Sequence, residues 1–290
     1  MTRFGLLNLN KPGGRSSRVA VDHVARLVRP DKAGHAGTLD PLASGVLVVG
    51  VGQATRLIEY VQRMPKSYTG TFLLGRHSPT EDVEGEVTIE PEARRPTATE
   101  IARAAAGLTG EILQRPPAFS ALKVAGRRAY DLARAGKPFE LAPRPVTVYK
   151  IEIVDYAYPQ LVLHIECGSG TYVRSLGRDL AAAAGTWAVM SALVRTAIGG
   201  FRLAEACDVA ELTRENIDQK LLPALRAVES LPRVSLDETQ LRRIGNGLSI
   251  ELPDYASHVE LAAVPSSGPL AAILQRRVDG SFGPRHNFRM

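Results

Sequence analysis

Gly34-His35-Ala36-Gly37-Thr38-Leu39-Asp40-Pro41-Leu42-Ala43-Ser44-Gly45 is the stretch on which the reading of this chain turns. Glycines and a proline punctuate it, it carries a single carboxylate, and the apolar run Val46 to Val51 follows at once. That order predicts Asp40 on a stiff loop feeding a buried strand, a place where one reactive group can be held still. Asp before Pro is also an ordinary turn starter. The residues of the motif leave both readings open.

Working outward, Phe4 to Asn10 predicts a strand that ends in the turn Lys11-Pro12-Gly13-Gly14. Lys11 at its tip is either a solvated loop charge or a phosphate contact. Ser16 or Ser17 is the expected N-cap of a helix with Ala20, Val24, Leu27 and Val28 on one face, and His23 beside that face reads as structural. After the motif, Gln53 to Val61 predicts a short helix. Lys66 to Leu74 predicts a second strand, with Tyr68, Gly70, Phe72 and Leu74 on one face, so Tyr68 reads most simply as core. Gly75 to Gly85 is a polar loop before a strand at Glu86 to Ile89, and its acidic residues are a weak metal signal. Thr97-x-x-Glu100 is a capping box opening a helix through Ile101, Ala105 and Leu108.

The chain has 290 residues, is 44% hydrophobic and carries a formal charge of +6. That suits one large domain with a small companion, and the basic balance favours a polyanionic partner. No apolar run approaches the roughly 20 residues of a membrane helix, and Met1-Thr2-Arg3-Phe4 does not open a signal peptide. A cytoplasmic location without membrane association is therefore expected. Cys167 and Cys207 fall in no ligand pattern and read as small core residues. Neither a nucleotide-binding glycine loop nor His-Glu-x-x-His is present, so the sequence indicates neither an NTPase nor a metallohydrolase.

Charge is concentrated rather than spread. Residues 114–144 hold seven basic side chains (Arg115, Lys123, Arg127, Arg128, Arg134, Lys137, Arg144) against Asp131 and Glu140, a net +5. This predicts an inserted lobe that grips phosphates, since a merely solvated face mixes its signs. Strands resume at Pro145 to Val154, where a parity change predicts a bulge near Tyr149. In the next strand Leu161, Leu163, Ile165 and Cys167 form the core face. Gly168-Ser169-Gly170-Thr171 then leads into a helix through Val173, Leu176, Leu180 and Ala184, with Thr171 as N-cap. Arg174 falls in its first turn. A cation there opposes the helix dipole, so either a carboxylate or phosphate compensates it or the side chain points to water. Ala192 to Ile198 predicts a strand broken by Gly199-Gly200, and helical segments are expected from Asp208 to about Leu225. Beyond the linker Leu231-Pro232-Arg233 come a short helix to Gly245, a strand near Val259 to Val264, and a hairpin from Leu270 to Phe288 turning at Asp279-Gly280.

Several motifs, in this order, together resemble one family. They are Leu9-Asn10-Lys11-Pro12-Gly13, the stretch Gly34 to Gly45, Lys66-Ser67-Tyr68, Thr80-x-Asp82-x-x-Gly85, Pro116-Pro117-Ala118-Phe119-Ser120-Ala121-Leu122-Lys123 and Gly170-Thr171-Tyr172-Val173-Arg174-Ser175-Leu176. The set resembles the TruB family of bacterial tRNA pseudouridine-55 synthases from about Gly5 to Leu203. The resemblance implies an α+β fold, with a mixed, largely antiparallel central sheet flanked by helices in residues 1–230, including a basic RNA-clamping insertion at 114–144. A small β-rich PUA-like RNA-binding domain would occupy 231–290.

By the same resemblance the chain isomerises uridine to pseudouridine in the TΨC loop of tRNA, by base flipping, glycosidic cleavage and reattachment through C5, and needs neither cofactor nor metal. Asp40 matches the catalytic aspartate, whose carboxylate either attacks C1′ as a nucleophile, splitting one hard step into easier ones, or promotes loss of the 2′ proton; the sequence leaves both routes open. Tyr68 matches the tyrosine that stacks on the base and takes part in proton transfer, and Arg174 the arginine that pairs with the aspartate. His35, Tyr172 and Leu193 match residues around the flipped base; Lys11, Lys123, Arg127 and Arg128 are the further substrate contacts. Phe119, Ser78 and Val194 depart from common family residues. The expected partner is the tRNA T stem-loop, bound by a monomer without an obligatory protein partner. The alternatives are a scaffold subunit of an RNA-guided synthase and a protein that only binds or folds tRNA. The insertion favours the stand-alone enzyme, because it supplies a clamp within one chain.

Overall fold

Val46 to Val51 is apolar throughout because both faces of its strand are covered, not one. The computed structural model describes residues 3–288 other than 121, 125, 136–138 and 140. In it β3 (Ser44–Gly52) lies against β1 (Phe4–Lys11) in an unbroken antiparallel register from Phe4 opposite Gly52 to Lys11 opposite Gly45. On one face Leu47, Val49 and Val51 pack with Leu7 and Leu9 against Ala20, Val21 and Val24 of α1 (Ser17–Leu27). On the other, Val46 and Val48 meet Leu6 and the Tyr60 and Val61 side chains of α2 (Ile58–Arg63). At about 1.5–3 kcal/mol for each large aliphatic side chain taken from water, this two-sided burial makes β3 a rigid base for the loop before it.

The central sheet has eleven strands among the described residues. Its main path runs from Cys207–Asp208 through β1, β3, Ala188–Ile198, β4 (Lys66–Leu74), Gln160–Cys167 and Arg144–Ala157 to Gly110–Gln114. Pairing is antiparallel except between β1 and Cys207–Asp208 and between β3 and Ala188–Ile198. The fold is therefore the α+β class expected, with a mixed, largely antiparallel sheet. The strictly alternating burial of β4 and of Gln160–Cys167 follows their period-2 patterns. The register slips between Val148 and Lys150, which puts the predicted bulge at Tyr149.

Under one face of the sheet run α3 (Ala98–Gly107), opened by the Thr97–Glu100 capping box, and the helix Val173–Ala183. That helix can lie close to β4 because Gly177 faces Phe72; a Cβ there would come within 2.1 Å of the ring. A second sheet of four strands, Arg233–Leu236, Glu260–Pro265, Ala272–Arg276 and Phe282–Asn287, forms the β-rich C-terminal unit. Its Ala262, Ile273 and Phe288 join the core cluster of β1 and β3. Arg285 bridges it to the first unit, donating to Glu59 at 2.7 Å and pairing with Glu260.

Three local expectations are corrected. The helical segments expected from Asp208 to about Leu225 are short 3-10 helices, Val209–Glu211, Ile217–Lys220 and the start of Ala224–Val228, because β1 captures the backbone at Asp208 and again at Leu222–Pro223. The strand expected at Glu86 to Ile89 is reduced to Thr88–Ile89. Thr171 does not cap its helix: its hydroxyl donates to the Gly168 carbonyl at 3.2 Å, and Tyr172 holds the N-cap position. The side chain of Gln114 fixes the backbone of that N-cap residue, accepting from Tyr172 N at 2.8 Å and donating to Tyr172 O at 3.1 Å.

Candidate active site

Asp40 is held from both sides by its neighbours' backbone. On one side the Ser17 hydroxyl accepts from Leu39 N at 2.8 Å and donates to Leu39 O at 3.1 Å, and Ser17 is buried. On the other, the Pro41 carbonyl accepts from Gly14 N at 2.8 Å and from Lys11 Nζ at 3.5 Å. Ala43 N closes a turn onto Asp40 O at 3.1 Å. The backbone thus makes the turn that Asp-Pro suggested, while the carboxylate reaches elsewhere.

It reaches Arg174. Arg174 Nε lies 3.0 Å from Asp40 Oδ2, and the same guanidinium places Nη1 3.3 Å from Asp82 Oδ2. Nη1 also donates to Thr80 O at 2.6 Å and Nη2 to Phe119 O at 3.1 Å. A cation in a first helical turn is unfavourable by itself; two carboxylates and two carbonyls compensate it here. Arg174 and Asp82 are buried, whereas Asp40 is open to the cavity, 37% of its side chain exposed. A buried guanidinium pinned by Asp82 and two carbonyls offers Asp40 a single fixed nitrogen, and so holds the carboxylate more firmly than a mobile surface pair could.

Asp82 is itself held by a tight turn. Its Oδ1 accepts from the Thr80 hydroxyl at 2.6 Å and from Glu84 N at 3.1 Å, and the Ser78 hydroxyl donates to its carbonyl at 2.6 Å. The polar loop, whose acids the sequence offers only as a weak metal signal, is therefore the second half of an arginine clamp. Glu81, at a left-handed φ of 63°, turns inward to accept from Ser175 Oγ at 2.8 Å and to pair with Arg178. Two of the loop's carboxylates are so spent on arginines. Among the described residues no group of three ligand-type side chains forms a metal cluster.

The cavity beside Asp40 has a volume of about 840 Å³. Asp40, Tyr68, Arg174, Tyr172 and Leu193 all line it, so five of the predicted site residues come together from four separate segments. Phe119, Ser120 and Tyr130 wall it from the side of the insertion. Tyr68 serves as both core and site: it is 8% exposed and still lines the cavity, and burial holds its phenol above the ordinary tyrosine pKa. Glu84, also on the wall, is raised by its burial and by the neighbouring Asp82.

Other predicted contacts fall elsewhere. Lys11 is neither solvated nor a phosphate contact. It is fully buried, and its ammonium donates to the carbonyls of Pro12 at 2.8 Å and Arg15 at 2.5 Å as well as Pro41, so it braces the Asp40 loop from within. Burial pulls its pKa down. His35 does not line the cavity; it ends β2 (Ala33–His35), its Nδ1 accepts from Gly37 N at 3.3 Å, and burial lowers its pKa. The backbones of Lys123–Val124 and Arg127–Arg128 form a small hairpin, while the side chains of Lys123, Arg127 and Arg128 lie outside the described residues, as does Lys137. Of the cysteines, Cys167 is buried, its thiol pushed up to about 11 by burial, and Cys207 is half-buried.

Comparison with known proteins adds a family to this geometry. Residues 25–173 match the model of the TruB family pseudouridylate synthase N-terminal domain. The chain is 41% identical to a tRNA pseudouridine synthase B of Dehalococcoides mccartyi over 288 residues, covering 98% of this chain and 96% of that protein. It is 41% identical to the protein of the same name from Caulobacter vibrioides over 255 residues, covering 86% and 81%. Among solved structures, a chain of a Cbf5-Nop10-Gar1 complex superposes with a TM-score of 0.73 at 25% identity, covering 99% of this chain and 84% of that one. A chain of an H/ACA RNP bound to a substrate RNA containing 2′-deoxyuridine does so at 0.74 and 21% identity, covering 99% and 86%.

Proposed function

This chain belongs to the TruB family of pseudouridylate synthases, and on that premise we propose that it converts uridine to pseudouridine in the TΨC loop of tRNA, at position 55, acting without a guide RNA or protein partner. The observation that carries this reading is the Asp40 carboxylate held by the buried Arg174 fork at the edge of a cavity that also exposes Tyr68. The cavity, about 840 Å³, suits one extruded nucleotide.

In the proposed reaction Asp40 attacks ribose C1′ while the C1′–N1 bond breaks, so the base leaves with the bonding electrons. Arg174 engages Oδ2, which leaves Oδ1 as the reacting oxygen. The freed uracil turns over in the cavity against the Tyr68 ring, and C5 then attacks C1′ and displaces the carboxylate. C5 loses its proton and N1 gains one, so the sum is an isomerisation. Tyr172 and Leu193 replace part of the stacking that the base gives up on leaving the loop. The basic 114–144 lobe clamps the RNA backbone, and residues 231–290 act as a second RNA-binding unit.

Loss of the C5 hydrogen supplies the test. Purified chain is incubated with tRNA tritiated at uridine C5, with no other protein or RNA, and tritium released to water is counted. Release is expected from the native chain and not from Asp40→Asn. No release from the folded, tRNA-binding native chain overturns the proposal.

A further inference from the structure

Arg195 is a buried cation that the proposed chemistry does not use. It is 2% exposed, in the middle of the Ala188–Ile198 strand, and among the described residues no carboxylate pairs with it. Its Nε donates to Val46 O at 2.7 Å and its Nη2 to Gly37 O at 3.2 Å. Burying an unpaired guanidinium is costly, and carbonyl dipoles offset only part of that cost. A leucine would fill such a strand position more cheaply, so the charge and fork call for a use.

The two carbonyls it engages belong to opposite limbs of the Asp40 loop: Gly37 leads into the loop and Val46 leads out of it. The loop's last glycine is shaped to the same residue. Gly45, at φ +101°, pairs with Arg195 in the strand register, and a Cβ on it would meet the Arg195 carbonyl at 2.3 Å. The loop therefore closes around Arg195 from both ends. Across the next strand pair Arg195 stands opposite Tyr68, where its charge draws the phenol's pKa down against the effect of burial.

We propose that Arg195 is the positioning residue of the site, tying both limbs of the Asp40 loop to one guanidinium and presenting a donor to the Tyr68 phenol oxygen. This rests on the isomerase reading above. A donor presented to that oxygen leaves the phenol its own hydrogen for the cavity. Tyr68 thus meets the base as a hydrogen-bond donor, set in register with Asp40 by a single side chain.

The test uses the full chain with Arg195→Met and Arg195→Lys, read by single-turnover tritium release, tRNA binding and the 13Cζ resonance of Tyr68, assigned with Tyr68→Phe. For Arg195→Met the expected result is a catalytic step slowed by about 100-fold, the size of loss that misplacement of reacting groups by an ångström produces. Affinity for tRNA should stay within about threefold, and the Tyr68 resonance should move. Arg195→Lys restores a charge but not the fork: it should fold as the native chain does, return the Tyr68 resonance part of the way and leave the catalytic step slow. If Arg195→Met fails to fold, the lysine variant decides. A native rate in either folded variant, or a Tyr68 resonance unmoved in both, overturns the proposal. Because the resonance is read without substrate, it tests the Arg195 to Tyr68 contact even if the native chain releases no tritium.

Discussion

Arg174 Nε stands 3.0 Å from Asp40 Oδ2, the buried cation on a helix and the exposed carboxylate on a loop more than a hundred residues away in sequence. The helix is brought there by Gly177 against Phe72 and the loop by Ser17 and Lys11, so scaffold contacts with no chemistry of their own set the distance.

Removing the second carboxylate tests that clamp. Asp82→Ala leaves Arg174 with one anion instead of two and frees the Thr80 and Glu84 donors. Breaking a buried pair costs about 3–5 kcal/mol, so urea denaturation should show a loss on that scale. In the protein that remains folded, tritium release should fall well below native. Native stability would mean that Asp82 is dispensable to the clamp.

Ser17→Ala removes one small hydroxyl from a buried position and leaves Leu39 N and O without their partner. Unsatisfied buried backbone groups cost about 1–3 kcal/mol. The expected outcome is a stability loss in that range together with a slower catalytic step at unchanged tRNA affinity, since the loop and not the RNA surface is loosened. Equilibrium unfolding and single-turnover release measure the two parts separately.

Gly177→Ala discriminates packing from propensity. Alanine is the better helix former by about 1 kcal/mol, yet its Cβ would lie 2.1 Å from the Phe72 ring. Overpacking of this kind costs about 1–3 kcal/mol. Thermal unfolding should therefore show net destabilisation, and a gain in stability would show that the helix can move away from β4 without penalty.

Lys66 makes a pH-dependent contribution whose sign can be worked out. It is buried, and burial followed by the nearby Arg195 charge lowers its pKa from 10.5 to about 8. Between those values the unfolded chain binds a proton that the folded chain does not, so this group makes stability rise with pH across that window. Below about 8 the folded state bears the full penalty. Lys66→Met should accordingly be more stable than native at pH 7, with the advantage shrinking towards pH 10. Urea midpoints at pH 7 and 9.5 check it; an advantage that does not shrink would remove Lys66 as the source.

Charge removal on the insertion should act on binding alone. Arg127→Ala with Arg128→Ala is expected to weaken tRNA binding and flatten its dependence on salt by roughly 0.7–0.9 in log–log slope for each phosphate that is no longer neutralised, with the unfolding curve unchanged. Filter binding across a salt series reads this directly. An unaltered slope would mean that the RNA lies on another surface.

The sequence by itself determined the elements whose side-chain period is dictated by burial: β1, β3, β4, the Val173–Ala183 helix and the C-terminal hairpin, together with the loop that carries Asp40. It also exposed the conflict at Arg174, since a cation at a helix start asks for an anion. Local pattern carries that much because periodicity and end effects are properties of neighbouring residues.

Only the tertiary structure decided which anions answer Arg174, that Lys11 turns inward, that His35 stays off the cavity wall, and that Arg195 sits inside the Asp40 loop. In the sequence Lys11 looks like any loop lysine and Arg195 like one polar residue of an alternating strand. What distinguishes them is three-dimensional closure: carbonyls at Pro12, Arg15 and Pro41, or at Gly37 and Val46, converge on a buried cation only after the strands have paired. The glycines at 37 and 45 were the nearest thing to a signal, and the need for one of them was visible only once the Arg195 backbone lay against Gly45.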